Sequence, residues 1–98
     1  HFFMVTVAEF VKFVKCVEAR LRDSGYSVDD CSEIEVPNCL AVGRGGRSYR
    51  LTFGVVGDEP TVGIVSDGAE AEADVGDVYA IHATIDSCLP ALGGGSTS

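Results

Sequence analysis

The sequence predicts an α+β domain of order α-β-β-β-α, in which two helices pack on one face of a three- to four-stranded antiparallel sheet. Two observations support this prediction. An amphipathic helical pattern stands near each end of the chain, and the middle alternates apolar and polar residues between short glycine-containing connections. Short connections make neighbouring strands antiparallel. Two apolar helix stripes and one apolar sheet face can then bury one another in a single core.

The first helix is predicted over about 7–24. Thr6 can cap its N-terminus, Glu9 three residues later completes a capping box, and Gly25 supplies the left-handed residue that ends the helix. Cys16 projects away from the centre of the apolar stripe, so we expect it to be partly exposed. The stripe consists of Val7, Phe10, Val11, Val14, Val17 and Leu21.

A meander of strands is expected between the helices. Ile34 and Val36 alternate with Glu33 and Glu35, which is typical of a half-buried strand, and Pro37 makes that strand an edge or a bulge. The predicted strands are Tyr26–Val28, Glu33–Val42, Arg47–Val56 and Thr61–Ser66, with turns at 29–32, 43–46 and 57–60.

The second helix is predicted from a cap at Asp74 to about Leu89, where Pro90 follows. Asp77 suits the positive first turn of that helix. His82 lies beside the apolar stripe, and a single histidine there is typical of a core edge rather than a catalytic base. The stripe consists of Val75, Val78, Ile81, Ile85 and Leu89.

The 98 residues are long enough for one domain, which we expect over 1–92, with a flexible polar tail at 93–98. A chain of this length buries roughly two-thirds of its unfolded surface, which is enough for one core. No apolar run approaches the roughly 18 residues of a membrane helix, so no membrane contact is expected.

Charge is distributed unevenly along the chain. All seven basic residues lie within the first fifty positions, so the net charge of −8 arises from the second half. An acidic field repels nucleic acids and attracts basic surfaces. This charge disfavours nucleic acid as a partner and favours a basic protein.

The four cysteines, Cys16, Cys31, Cys39 and Cys88, are disulfide candidates. Their spacing contains no C-x-x-C and no cysteine–histidine pattern of a zinc site, so no metal or cofactor is expected. Cys31 and Cys39 flank a short segment, and Cys16 and Cys88 stand on the two helices. The sequence alone leaves all three intrachain pairings open, as well as reduced, buried thiols.

Disulfides suit either secretion or the interior of a thermophile. The chain has no glutamine and only one asparagine, Asn38, which favours a thermophile. No signal-peptide pattern is visible. We therefore expect a cytoplasmic location in a thermophile, while secretion stays open.

A basic hairpin is predicted around Arg44, Arg47 and Arg50, where glycines and Tyr49 stand between the arginines. Such a tip can contact an anion or a nucleic acid strand. A tight glycine turn between two strands accounts for the same residues without any ligand.

The element order from Val7 to Leu89 resembles that of a double-stranded RNA-binding domain. The resemblance implies phosphate contacts from basic residues at the start of the second helix. That helix begins here with Asp74 and Asp77 and contains no basic residue, so the implied contacts would repel a duplex.

No catalytic motif emerges, and we expect a non-catalytic protein-interaction or assembly module, disulfide-stabilised and homodimeric. Cys16 lies off the buried stripe, so a disulfide to the same residue of a second copy is one hypothesis. One alternative is a nucleic-acid-associated protein that uses the Arg44–Arg50 hairpin. Another is a small enzyme with a site at a dimer cleft around Cys16, His82 or Tyr49.

Overall fold

The computed structural model describes residues 5–67 and 72–93. The elements are helix α1 Val7–Asp23, strands β1 Ser27–Asp30, β2 Cys39–Arg44, β3 Arg47–Val56 and β4 Glu59–Ser66, helix α2 Val75–Cys88, and a 3-10 turn Leu89–Leu92. The four strands form one antiparallel sheet in the order β1-β2-β3-β4, which confirms the predicted α+β class.

The ends of α1 are fixed by the predicted signals. The Thr6 hydroxyl accepts from the Glu9 backbone N–H at 3.1 Å, and the Glu9 carboxylate accepts from the Thr6 N–H at 3.0 Å. Gly25 follows the helix with φ of +97°, a conformation that only glycine adopts without strain. Cys16 is half-buried on the flank of the helix, as its position off the stripe predicted.

The core lies between the two helices and one face of the sheet. Alternate residues of β3 supply its centre, and the Phe53 ring meets the Phe13 ring edge to face at 5.8 Å between centroids. Val75, which we assigned to the α2 stripe, is exposed instead. It stands two residues from buried Asp77, and 200° of helical rotation turns it to the opposite side.

Side-chain contacts show where each helix lies over the sheet. Arg22 donates to the Val28 carbonyl of β1 at 2.8 Å, whereas Arg20 donates to the Ser87 hydroxyl of α2 at 2.8 Å. Residues two apart on a helix project from opposite flanks. The helix α1 therefore lies toward the β1 edge of the sheet, and α2 lies toward the β4 edge.

The strand predicted at Glu33–Val42 is wrong over 33–38, which is an irregular loop with Ile34 exposed. A disulfide joins Cys31 to Cys39, with 5.0 Å between their Cα atoms. The Ser32 hydroxyl accepts from the backbone N–H groups of Asn38 and Cys39, at 2.7 and 3.0 Å. A segment whose two ends are held this close must bend, so its alternating pattern cannot become an extended strand.

Three turns are also tighter than predicted. Gly45 and Gly46, with φ of +60° and +81°, make the whole connection between β2 and β3, so residues 43 and 44 belong to β2. Gly57, with φ of +65°, and Asp58 connect β3 to β4, which begins at residue 59. Positions 29–30 extend β1 rather than turning.

All four cysteines are paired within the chain, Cys31 with Cys39 and Cys16 with Cys88. The hypothesis of a disulfide between the Cys16 residues of two copies is therefore wrong for this form, because that sulfur is already bonded. Within residues 5–67 and 72–93, no helix has the length and apolar character to cross a membrane. Apart from Gly93, the tail predicted at 93–98 lies outside the described residues.

Candidate functional site

The three arginines of the predicted basic hairpin do not form one patch. Arg47 points toward α2 and donates from Nε to Oδ2 of Asp77 at 2.7 Å. Arg44, directly opposite Arg47 in the ladder, lies 4.9 Å from the centroid of the Tyr26 ring. Arg50 projects from the other face of the sheet, and its guanidinium is 3.5 Å from the Asp67 carboxylate. Each cation already contacts a group of its own chain.

The residues suggested for a cleft enzyme are also separated or engaged. Cys16 is a disulfide sulfur, His82 is exposed on α2, and the Tyr49 hydroxyl is bonded to Asp77. Among the described residues, no group of three or more histidine, cysteine, aspartate and glutamate side chains could hold a metal ion.

A buried carboxylate fastens the start of α2 to the sheet. Asp77 is 4% exposed, and its side chain accepts from Tyr26 at 3.0 Å and from Tyr49 and Arg47 at 2.7 Å. These bonds, that of Arg47 foremost, lower the pKa of Asp77 against the opposing effect of burial. Burial, followed by the bond to Asp77, raises the pKa of the Tyr26 hydroxyl.

Asp77 was predicted only as a helix-start acid, and its buried role was missed. It stands four and eight residues before Ile81 and Ile85, so it belongs to the same helix face as the core stripe. A carboxylate on that face signals a paired, buried charge. This network ties α2 to β3 and to Tyr26, the residue directly before β1, which makes it part of the fold.

The unpaired edge of the sheet is the strongest candidate for an external contact. The Asp67 N–H donates to the Ser48 carbonyl, so in the β3–β4 register the inward-bonding residues of β4 are the odd-numbered ones. The backbone groups of Val62, Ile64 and Ser66 therefore point away from the sheet. Among the described elements, no strand pairs with them.

The residues of β4 carry little to prevent another strand from pairing with its edge. Between Glu59 and Asp67 every residue is uncharged, and Pro60 removes only one donor, at one end. Sheet edges are ordinarily protected by charge, by short length or by a covering element. Val65 adds an apolar side chain that is 60% exposed on the open face of the sheet.

The opposite edge, β1, shows the protection that β4 lacks. It has four residues, two of which are Asp29 and Asp30. The Cys31 N–H donates to the Cys39 carbonyl, so the Val28 carbonyl points outward, and Arg22 donates to it at 2.8 Å. Of the two edges, only β4 presents a long uncharged row of free backbone groups.

An apolar flank of α2 stands on the same side of the molecule as the β4 edge. Val78 is nine residues, or half a rotation, from Ser87, which contacts α1, so Val78 projects toward the β4 side. Val75 and Tyr79 are 84% and 77% exposed. The flank borders a cavity of about 380 Å³, which is lined by Ala73, Val75, Val78, Tyr79 and His82.

Comparisons with protein-family models, with curated proteins and with solved structures found no match for this chain.

Proposed function

We propose that this chain is a non-catalytic protein-interaction module that binds an extended β-strand along the edge of β4. The observation that carries the proposal is the outward backbone of Val62, Ile64 and Ser66, which no described strand satisfies. Strand addition supplies main-chain hydrogen bonds along such an edge, and neighbouring pockets read alternate side chains of the added strand. The disulfides and the Asp77 network hold the edge on a rigid domain.

The flank of α2 supports this mode of binding. A strand added to β4 lies about 4.8 Å beyond it, on the side where Val75, Val78 and Tyr79 project. Every second side chain of that strand faces the helical layer and can cover these apolar groups. The backbone edge gives affinity, and the flank favours apolar residues at alternate positions.

A titration followed by amide NMR tests the proposal. The probe is a synthetic eight-residue peptide that has lysine at both ends and alternating threonine and valine between them. It is added to the full-length chain, which is isotope-labelled for amide NMR. We expect the amide signals of Val62, Ile64 and Ser66 to shift most, and those of β1 to stay unchanged.

Two lysine variants complete this test. Val65→Lys adds a charge at the edge and should weaken peptide binding at least tenfold. Val56→Lys is the matched control, since Val56 is an exposed valine at the far end of β3. No shift at 1 mM peptide in a sample whose chain is monomeric, or equal binding by both variants, would overturn strand addition at β4.

The nucleic-acid alternative has less support from the geometry. Arg44 and Arg47 are engaged with Tyr26 and Asp77, and Arg50 stands on the opposite face of the sheet. A thermophilic source and a cytoplasmic location stay predictions from composition.

A further inference from the structure

We infer that the strand bound at β4 is β4 of a second copy, which pairs antiparallel about a two-fold axis at Ile64. This inference rests on the proposed function and names its partner. The two copies form a homodimer with one continuous eight-stranded sheet. Three features favour a second copy as the partner: the spacing of donors along the edge, charge and side-chain size.

The outward donors are spaced symmetrically. Val62 and Ser66 each stand two residues from Ile64, so a two-fold axis at Ile64 places Val62 opposite Ser66 of the second copy. Residues that both point outward form hydrogen-bonded pairs, in which each N–H meets the opposite carbonyl. All three outward N–H groups of each copy thereby find an acceptor, and the spacing is self-complementary.

Charge argues against one of the two neighbouring registers. Each copy carries a net charge of −8, so two copies associate only where carboxylates are kept apart. An axis at Gly63 would set Glu59 opposite Asp67 of the second copy, and like charges placed directly opposite destabilise a sheet. With the axis at Ile64, Asp67 lies opposite Thr61 of the second copy.

Side-chain size on the open face agrees with the same register. The axis at Ile64 sets Val65 opposite Gly63 of the second copy, so a large exposed side chain meets the one position that has none. Such directly opposed residues form the closest cross-strand pairs of an antiparallel ladder. On the helical side, Ile64 faces Ile64 of the second copy. Its partly buried side chain extends the core across the seam, which is the line where the two β4 strands pair.

The flank of α2 supplies the rest of the contact. A specific interface buries about 800 Å² per partner, more than a strand of eight residues offers alone. The α2 helices lie toward the β4 edges, so their apolar flanks approach each other above the joined strands. Tyr79 and Val75, the most exposed apolar side chains at that edge, become buried there.

Sedimentation velocity of the full chain at 1–500 µM tests whether the partner is a second copy. We expect the wild type to dimerise and Val65→Lys to dimerise at least tenfold more weakly, with Val56→Lys within twofold of wild type. Tyr79→Ser should weaken the dimer about fivefold, because it removes an aromatic group from the seam. All three sites are exposed in the single chain, and circular dichroism verifies that each variant is folded.

Added salt and mixed labelling give two further readouts. Raising NaCl from 50 to 500 mM should strengthen the dimer severalfold, because salt screens repulsion between two acidic chains. In a sample of mixed isotope labels, an intermolecular Hα–Hα contact between Gly63 and Val65 is expected for this register. A different contact pair would overturn the axis at Ile64.

The remaining outcomes separate the inference from the proposed function. A wild type that stays monomeric to 500 µM but still binds the synthetic strand at β4 overturns the second copy alone. A dimer that persists equally in Val65→Lys overturns the claim that the two copies pair along β4. Failure of the peptide to bind a monomeric chain overturns both.

Discussion

The hydroxyl of Tyr49 donates to Oδ2 of Asp77 at 2.7 Å and accepts from the Asp74 backbone N–H at 3.0 Å. One phenol therefore joins β3 to both the cap and the first turn of α2. The Asp74 side chain in turn accepts from the Asp77 N–H at 3.2 Å. Every buried side-chain polar atom in the described residues has a partner, and this network is where most of the deeply buried ones meet.

Replacing Asp77 by alanine should destabilise the fold by about 3 kcal/mol, because two tyrosine hydroxyls then lose a buried acceptor. Urea unfolding followed by circular dichroism measures the change. Asp86→Ala is the matched control, since it removes one exposed carboxylate from the same helix and should change stability by less than about 0.5 kcal/mol. Equal losses in the two variants would show that charge, and not the network, is responsible.

Acid should weaken the fold through Asp77. The Arg47 hydrogen bond holds the pKa of the Asp77 carboxyl below its ordinary 3.8, against the opposing effect of burial. A pKa lowered by folding adds stability above about pH 4, and that stability is lost as the pH falls through the folded value. The free energy of unfolding should therefore decline below pH 4 in the wild type and less steeply in Asp77→Asn.

Some acid dependence should remain in Asp77→Asn. The Ser32 side chain and backbone N–H lower the pKa of Asp30, which gives a second carboxylate the same sign of effect. The variant Asp30→Asn combined with Asp77→Asn should flatten the profile further. Parallel profiles for the wild type and Asp77→Asn would contradict the assignment.

The two disulfides should contribute unequally to stability. Cys16–Cys88 spans 72 residues and Cys31–Cys39 spans 8. Restricting the unfolded chain is worth about 4 kcal/mol for the longer loop and about 2.5 kcal/mol for the shorter one. Paired alanine variants compared by thermal unfolding should therefore rank Cys16/Cys88 as the more damaging loss.

Mass spectrometry checks the connectivity behind that prediction. The untreated chain should have the mass of a monomer with both disulfides intact, and digestion should release a Cys16–Cys88 cross-linked peptide. A peptide that joins Cys16 to Cys31 or Cys39 would contradict the pairing.

The β2–β3 turn offers a matched pair of substitutions. Gly46→Ala should cost about 1 kcal/mol, because φ is +81° there and a Cβ strains that conformation even though the surrounding space is open. Gly45→Asn should be neutral or slightly stabilising, since asparagine followed by glycine suits this turn type. Chemical unfolding of both variants measures the difference, and a reversed order would contradict it.

Local patterns were enough to predict the two helices, the caps at Thr6 and Asp74, and β3 at its observed bounds. These features depend on residues close in sequence. The loop at 31–38 was missed because its shape depends on a bond between Cys31 and Cys39, and the alternating residues between them suggest a strand. The spacing of the four cysteines along the chain does not show which of them pair, and only the fold resolves it.

The candidate site was less predictable because it, too, depends on contacts between residues that are distant in sequence. An uncharged stretch such as 60–66 predicts a strand, but whether its outer side is covered depends on the order of strands in the sheet. Likewise, the exposure of Tyr79 depends on which flank of α2 meets α1. The arginines around residue 47 are close together in sequence, yet strand alternation separates Arg50 from the others.

The bond between Cys16 and Cys88 encloses all four strands in a covalent ring. Force applied to the two ends of the chain would pass through the sulfur atoms and bypass everything between them. The sheet would then carry no tension, and only the segments outside 16–88 could be drawn out. Under a reductant, the same pull would reach the strands and peel them apart from the edges inward.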